Sequence, residues 1–301
     1  MYLNRFCVLN RFHYQTSRLS TMPLTEHLNA KPRVIFFTDF DGTITLQDTN
    51  DFITDNYGMG YPARRKLMEL ILDGTLTFRD AFQRMLDTWN VPFQRVLDIL
   101  RQNIQLDPHF KEFVVWARAN QVPVVVLSSG MAPVLRELLT HFLGDDLVKD
   151  IEIIANGTQT RPPGNSLDKA DGWTISFHDD SGFGHDKSLT IRPYATAIAQ
   201  MPESERPTLL YAGDGVSDLS AARETDLLFA KEGMDLITYC EREGIPFTIF
   251  ESWATILEET KDIYEGTKSV RNVAEEGLLL HRTNSLEGAR HPRRRLSTHE
   301  L

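Results

Sequence analysis

Val34-Ile35-Phe36-Phe37-Thr38-Asp39-Phe40-Asp41-Gly42-Thr43 joins a short apolar run, rich in β-branched and aromatic residues, to an Asp-Phe-Asp-Gly turn. A run with no polar alternation reads as a strand covered on both faces, and the turn ends it. Three later stretches repeat the pattern. Val122 to Leu127 runs into Ser-Ser-Gly, Thr208 to Ala212 into Gly-Asp-Gly, and Asp226 to Ala230 into Lys-Glu-Gly. Amphipathic stretches such as His109 to Gln121 and Ala132 to Phe142 separate them. Apolar strands alternating with helices predict an α/β fold, a doubly wound and mainly parallel sheet wrapped by helices on both faces.

The core then spans 31–45 and 104–263. Between its first two strands, 46–103 shows no strand signal but several helical patterns, and reads as a helical cap inserted over the strand ends. Tyr61 to Leu72 carries Leu67, Leu70 and Ile71 on one face and ends before Gly74. Thr77, with Asp80 three residues on, resembles a capping box that opens a helix over Phe78 to Trp89. The Gly-, Pro-, Asn- and Asp-rich segment 156–180, around Trp173 to Phe177, reads as a hairpin arm. Beyond Gly266 the apolar periodicity fades, and 264–301, with its His-Pro-Arg-Arg-Arg, reads as a disordered basic tail.

Length and composition bound the function. With 301 residues, 41% hydrophobic and 25% charged, the chain suits one large domain with a smaller insertion. A net charge of −10 argues against nucleic acid or a membrane surface as the main partner. Two cysteines argue against a disulfide framework and point to a reducing, cytoplasmic setting. No window approaches the ~20 apolar residues of a membrane-spanning helix. Segment 1–30 begins Arg-rich and without an acidic residue before Glu26. It reads either as a mitochondrial targeting extension or as a disordered tail ahead of a start at Met22.

Ligands bind outside the carboxyl ends of parallel strands, and polar residues gather there: Asp39 and Asp41, Ser128 and Ser129, Asp214 and Asp218. Singly, each is ordinary turn chemistry. Together, carboxylates at one sheet edge raise one another's pKa unless a cation sits among them. Mg²⁺, which takes one or two carboxylates plus water and substrate phosphate, is the expected cofactor.

In order, Asp39-Phe-Asp41-Gly-Thr43, Ser128 before Ser-Gly, Lys187 and Gly213-Asp214-Gly-Val-Ser-Asp218 resemble the four motifs of the haloacid dehalogenase superfamily, in its phosphoserine-phosphatase-like branch, over about 32–257. The resemblance implies a Mg²⁺-dependent phosphatase. In it Asp39 is the nucleophile and Asp41 the general acid, then base. Ser128 and Lys187 hold the phosphate, with Ser129 the rival for Ser128. The metal ligands it implies are Asp39, the Asp41 carbonyl and Asp214. Asp218 orients them, and Thr43 closes the turn by hydrogen bonding. A plain reading of His185-Asp186-Lys187-Ser188 is a polar helix start, but the spacing to Asp214 agrees with the family.

The cap would choose the substrate. Asp48 stands where phosphoserine phosphatases carry an acidic residue against the substrate ammonium. Their carboxylate-gripping arginine falls on Met85, with Arg84 adjacent. Methionine cannot pair a carboxylate and suits a neutral chain. The expected substrate is therefore a small polyol or sugar phosphate, with phosphoserine second and the ester of a methionine-salvage phosphatase third. Two rivals remain on motifs alone: a phosphomutase, and a non-catalytic phosphate-ligand binding module on the same fold. Nothing in the sequence specifies an oligomeric state.

Overall fold

A computed structural model describes residues 25–161 and 165–290. The Arg-rich start up to Leu24 and the basic end from His291 lie outside the described residues, as does the question of whether Met22 is the true start. The chain forms β1 (Val34–Thr38), then four cap helices: α1 (Thr49–Tyr57), α2 (Tyr61–Leu72), α3 (Phe78–Leu86) and α4 (Phe93–Asn103). There follow α5 (Phe110–Ala119), β2 (Val124–Met131), α6 (Ala132–Leu143), α7 (Asp145–Val148), β3 (Ile151–Thr160), β4 (Trp173–Ser176) and α8 (Lys187–Ala199). The last part is β5 (Thr208–Gly213), α9 (Leu219–Ala222), β6 (Leu227–Lys231), α10 (Asp235–Glu243), β7 (Thr248–Phe250), α11 (Trp253–Glu265) and α12 (Val270–Arg290).

The seven strands lie in the order β4–β3–β2–β1–β5–β6–β7, and all neighbours are parallel except β3 with β4. The chain winds outward from β1 to one side and then returns past it to β5. The switch point is therefore the carboxyl end of β1, where Asp39 and Asp41 stand. This is the doubly wound sheet that the apolar runs predict. Their lack of alternation has a simple cause. Val34 and Phe36 enter one core with β2, α5, α6, α11 and the cap, whereas Ile35 and Phe37 enter a second with α8, α9 and α10. Both faces are covered, so neither parity of residue has to be polar.

The cap leaves and rejoins the core at one place. Thr45 bridges Leu106, and the Leu46 amide donates to the Gln105 carbonyl at 2.9 Å. The Thr77 signal holds locally, its Oγ1 accepting from the Asp80 amide at 3.1 Å. β3 serves twice: Ile151 to Asn156 pairs with β2, and Gly157 to Thr160 turns to pair antiparallel with β4. Trp173 of β4 then packs against Trp89 and Phe93 of the cap side.

Both ends of the described region carry further structure. Glu26–Ala30 forms a 3-10 turn rather than an extension free of the core, with His27 hydrogen-bonded to Glu152 at 2.7 Å. Residues 270–290, expected in a disordered tail, form α12 against β7. Its inner face is Val270, Val273, Ala274, Gly277 and Leu278, and a Cβ on Gly277 would stand 2.0 Å from Thr248 Oγ1. The stripe keeps helical spacing, but alanine and glycine at its centre make it weakly apolar, so the pattern fades while the helix continues.

Candidate active site

β1 ends in Asp39, whose amide donates to the Ala212 carbonyl of β5 at 2.8 Å, so the turn stays in the sheet for one more residue. Gly42 then takes φ +73°, and a Cβ there would fall 2.3 Å from Asp214 Oδ2. The Asp-Phe-Asp-Gly turn and the Gly-Asp-Gly turn of β5 thus touch at a glycine. Carboxylate oxygens of Asp39, Asp214 and Asp218 lie within 4.8 Å of one another.

Lys187, fully buried at the start of α8, joins two of them. Its Nζ is 2.8 Å from Asp39 Oδ1 and 2.5 Å from Asp218 Oδ1. Burial alone would pull the ammonium down, but the Asp218 and Asp39 carboxylates outweigh it and hold it above the ordinary lysine range. Asp218 has no exposed surface and is saturated. Oδ1 accepts from Lys187 and, at 2.6 Å, from the Tyr211 hydroxyl, and Oδ2 accepts the Asp214 and Gly215 amides at 3.0 Å each. Burial pushes Asp39 up to about 7 against the opposing pull of Lys187. Burial, then the Asp39 and Asp218 carboxylates, push Asp214 well above the usual range.

Asp41 is fastened from the cap. Its Oδ1 accepts the Thr49 amide at 2.8 Å and its Oδ2 the Asn50 side-chain amide at 3.0 Å. Burial and then the Asp48 carboxylate lift Asp41 well above the usual carboxylate range. Asp48 caps α1, its Oδ1 accepting the Asn50 and Asp51 amides at 2.7 and 2.8 Å. At the end of β2, Ser128 Oγ accepts the Gly130 amide at 3.0 Å. A Cβ on Gly130 would sit 3.2 Å from both Ser128 Oγ and Asp41 Oδ2. Ser128 Oγ and Asp41 Oδ2 thus both approach Gly130, while Ser129 Oγ is buried without a partner among the described residues.

Three expectations fare differently. Thr43 Oγ1 is buried and unbonded among the described residues. The turn is closed by the Thr43 amide on the Phe40 carbonyl at 3.3 Å and by the Thr45 hydroxyl on the same carbonyl at 3.2 Å. Met85 is 2% exposed and packs in the cap core, so it is a packing residue of α3 rather than a wall for substrate. Its helical face is shared with Phe82 and Leu86, and Arg84 points to solvent. Tyr211, Asn50 and His185 were not singled out from the sequence. For Tyr211 a signal existed, since a hydroxyl inside a fully buried strand needs a partner. Asn50 and His185 acquire their contacts only when the cap and the loop before α8 fold against the strand ends.

A sequence model of the haloacid dehalogenase-like hydrolase family matches residues 36–223. The chain is 50% identical over 234 residues to Pdp3-interacting factor 1 of Schizosaccharomyces pombe, covering 78% of this chain and 97% of that protein. It is 43% identical over 245 residues to the polyol phosphate phosphatase PYP1 of Saccharomyces cerevisiae, covering 81% and 99%. Among solved structures, a substrate-bound phosphoserine phosphatase superposes with a TM-score of 0.53 at 16% identity, covering 75% of this chain and 98% of that one; such identity speaks for the fold. The chain belongs to the haloacid dehalogenase-like hydrolase family and has the fold of its phosphoserine-phosphatase-like branch.

Proposed function

We propose that this protein is a Mg²⁺-dependent phosphoric monoester hydrolase that cleaves a small, neutral polyol or sugar phosphate through a phospho-aspartyl intermediate on Asp39. The observation that carries the reading is the pairing of two buried aspartates two residues apart with opposite surroundings. Asp39 lies against the Lys187 ammonium, and Asp41 lies against cap donors with Asp48 behind it. One is held as a nucleophile and the other as a proton carrier.

An oxygen of Asp39 attacks phosphorus while the ester oxygen departs with the proton of Asp41. Asp41, now a carboxylate, takes a proton from water as the water oxygen attacks the aspartyl phosphate, releasing phosphate and restoring Asp39. Ser128 and Lys187 donate to the phosphate oxygens. The carboxylates fit a hard divalent cation, because the oxygens of Asp39 and Asp214 converge while Asp218 has both of its own engaged. Asp39, Asp214 and the Asp41 carbonyl would hold Mg²⁺, which offsets repulsion between the attacking carboxylate and the phosphate dianion.

The substrate preference does not rest on Met85, which packs in the cap core. It rests on the acidic cap wall beside Asp41, which carries Asp48, Asp51 and Asp55. Its buried arginine, Arg64, is engaged by both oxygens of Asp55, at 2.7 and 2.8 Å, and by Asp51. Such a wall accepts hydroxyl hydrogens and disfavours a second anionic group on the substrate. The 43% identity to a polyol phosphate phosphatase supports the same choice. The 26% identity to a 2-hydroxy-3-keto-5-methylthiopentenyl-1-phosphate phosphatase of Bacillus cytotoxicus makes that ester a comparison for the panel.

The test is phosphate release from a panel of esters, with Mg²⁺ or EDTA, for wild type and Asp39→Asn. Metal-dependent turnover of polyol esters that Asp39→Asn abolishes is expected. Phosphoserine outpacing polyol esters by orders of magnitude would sink the substrate assignment. Transfer to a second sugar would show a phosphomutase, and phosphate binding without turnover of any ester would show a binding module.

A further inference from the structure

The ladder between β2 and β3 breaks at the site. Ser128 pairs with Ala155, but the next pair is Met131 with Asn156, so Ser129 and Gly130 bulge out of register. A buried carbonyl without a hydrogen bond costs about 1–3 kcal/mol, so the carbonyls of this bulge need donors from elsewhere. Two side chains from separate segments supply them. The His185 ring is 2.8 Å through Nδ1 from the Ser128 carbonyl, and since a carbonyl only accepts, Nδ1 carries the hydrogen. Asn156 Nδ2 donates to the Ser129 carbonyl at 2.6 Å, while its Oδ1 accepts the His178 amide at 2.7 Å. His185 is 1% exposed and Asn156 0%, so water does not compete for either bond.

We infer that His185 and Asn156 are positioning residues for the proposed phosphoryl transfer: they hold the Ser128-Ser129-Gly130 bulge in the conformation that sets the Ser128 hydroxyl against Gly130, which Asp41 also approaches. This deepens the phosphatase reading and rests on it. With the Ser128 and Ser129 carbonyls fixed from behind and the Gly130 amide donating to Ser128 Oγ, the Ser128 O–H is left to donate elsewhere. His185 also stands two residues before Lys187, so one short segment sets both the serine and the lysine of the phosphate site. A hydroxyl held this way requires no reorganisation when charge develops on the phosphate.

The test is a double-mutant cycle on the intact protein with Mg²⁺. Three quantities are read: kcat/KM on the best ester, the affinity for inorganic phosphate by calorimetry, and Tm. His185→Phe is expected to lower kcat/KM about 100-fold, the loss produced by displacing a reacting contact by around 1 Å, and to weaken phosphate binding by more than about tenfold. His185→Asn, whose amide can donate from near the Nδ1 position, should recover most of both. In a Ser128→Ala background the effect of His185→Phe should shrink below about tenfold, since its target has gone.

Full additivity with Ser128→Ala would overturn the inference, as would a folded His185→Phe with unchanged turnover and phosphate affinity. If His185→Phe fails to fold, Asn156→Asp, which sets a carboxylate against the Ser129 carbonyl, is read by the same cycle and the same criteria. If wild type releases phosphate from no ester, the catalytic reading fails separately. The phosphate titration alone then decides: equal affinity in wild type and a folded variant overturns the positioning role, and a loss of more than about tenfold supports it.

Discussion

Asp218→Asn changes one atom, yet it should be among the most damaging substitutions outside the reacting groups. Each carboxylate oxygen of Asp218 accepts from two donors: Lys187 and Tyr211 on one side, the Asp214 and Gly215 amides on the other. An asparagine must place its NH₂ against one of those pairs, so two donors meet a donor whichever way the amide turns. Lys187, also without exposed surface, keeps Asp39 but loses its second counter-charge. Breaking a buried ion pair costs about 3–5 kcal/mol. At 2–4 °C per kcal/mol for a domain of this size, Tm should fall by roughly 10 °C. The assay is thermal and urea unfolding in EDTA, which keeps metal binding from adding to the native state. Tyr211→Phe is the internal scale, because it removes one neutral donor and should cost about 1 kcal/mol. Asp218→Asn within about 1 kcal/mol of wild type would refute the claim that these four bonds organise the site.

Other expectations follow from the same geometry. Gly42→Ala meets both the strain of a positive φ and the Asp214 carboxylate. It should destabilise by about 1–3 kcal/mol and lower kcat/KM more than tenfold, read by urea unfolding and ester hydrolysis. Asn50→Ala removes a donor that favours the ionised form of Asp41, so the limb of the kcat–pH profile set by Asp41 should move to higher pH. Burial, with the neighbouring His178 and Lys187 charges, holds His185 down at about 4 from 6.5 against the Ser128 and Asp179 contacts. The unfolded chain therefore binds its proton first, and His185 subtracts stability progressively as pH falls from 6.5 to about 4, up to roughly 3 kcal/mol. The difference in unfolding free energy between wild type and His185→Phe should vary across that window and be flat above it. Arg64→Met leaves Asp51 and Asp55 facing each other in the half-buried cap wall. It should cost about 2 kcal/mol and speed hydrogen exchange in α1 and α2 before the core.

No helix among the described residues is long and apolar enough to cross a membrane. The doubly wound sheet and the family were legible in four apolar runs, each followed by a polar turn, because a strand buried on both faces must be apolar at every position. The gathering of Asp39, Asp41, Ser128, Asp214 and Asp218 could be read for the same reason: strand ends in a parallel sheet share one edge whatever the loops do. Lys187, which starts α8, came only from the resemblance to the family.

The cap resisted that reasoning. The resemblance to phosphoserine phosphatases put Met85 toward substrate, but helix rotation is set by which face packs, and Phe82, Met85 and Leu86 form that face. α12 is weakly marked in the sequence because the closest contact of its inner face is made by small residues, Ala274 and Gly277, against a strand of three residues. By itself the sequence determined which residues end the strands, and with them the reactive carboxylates, because that pattern is local and periodic. Only the tertiary structure decided which side chains hold those carboxylates and the serine bulge in place. Asn50, Asn156 and His185 reach their partners only when the cap, β3 and the loop before α8 fold against the strand ends.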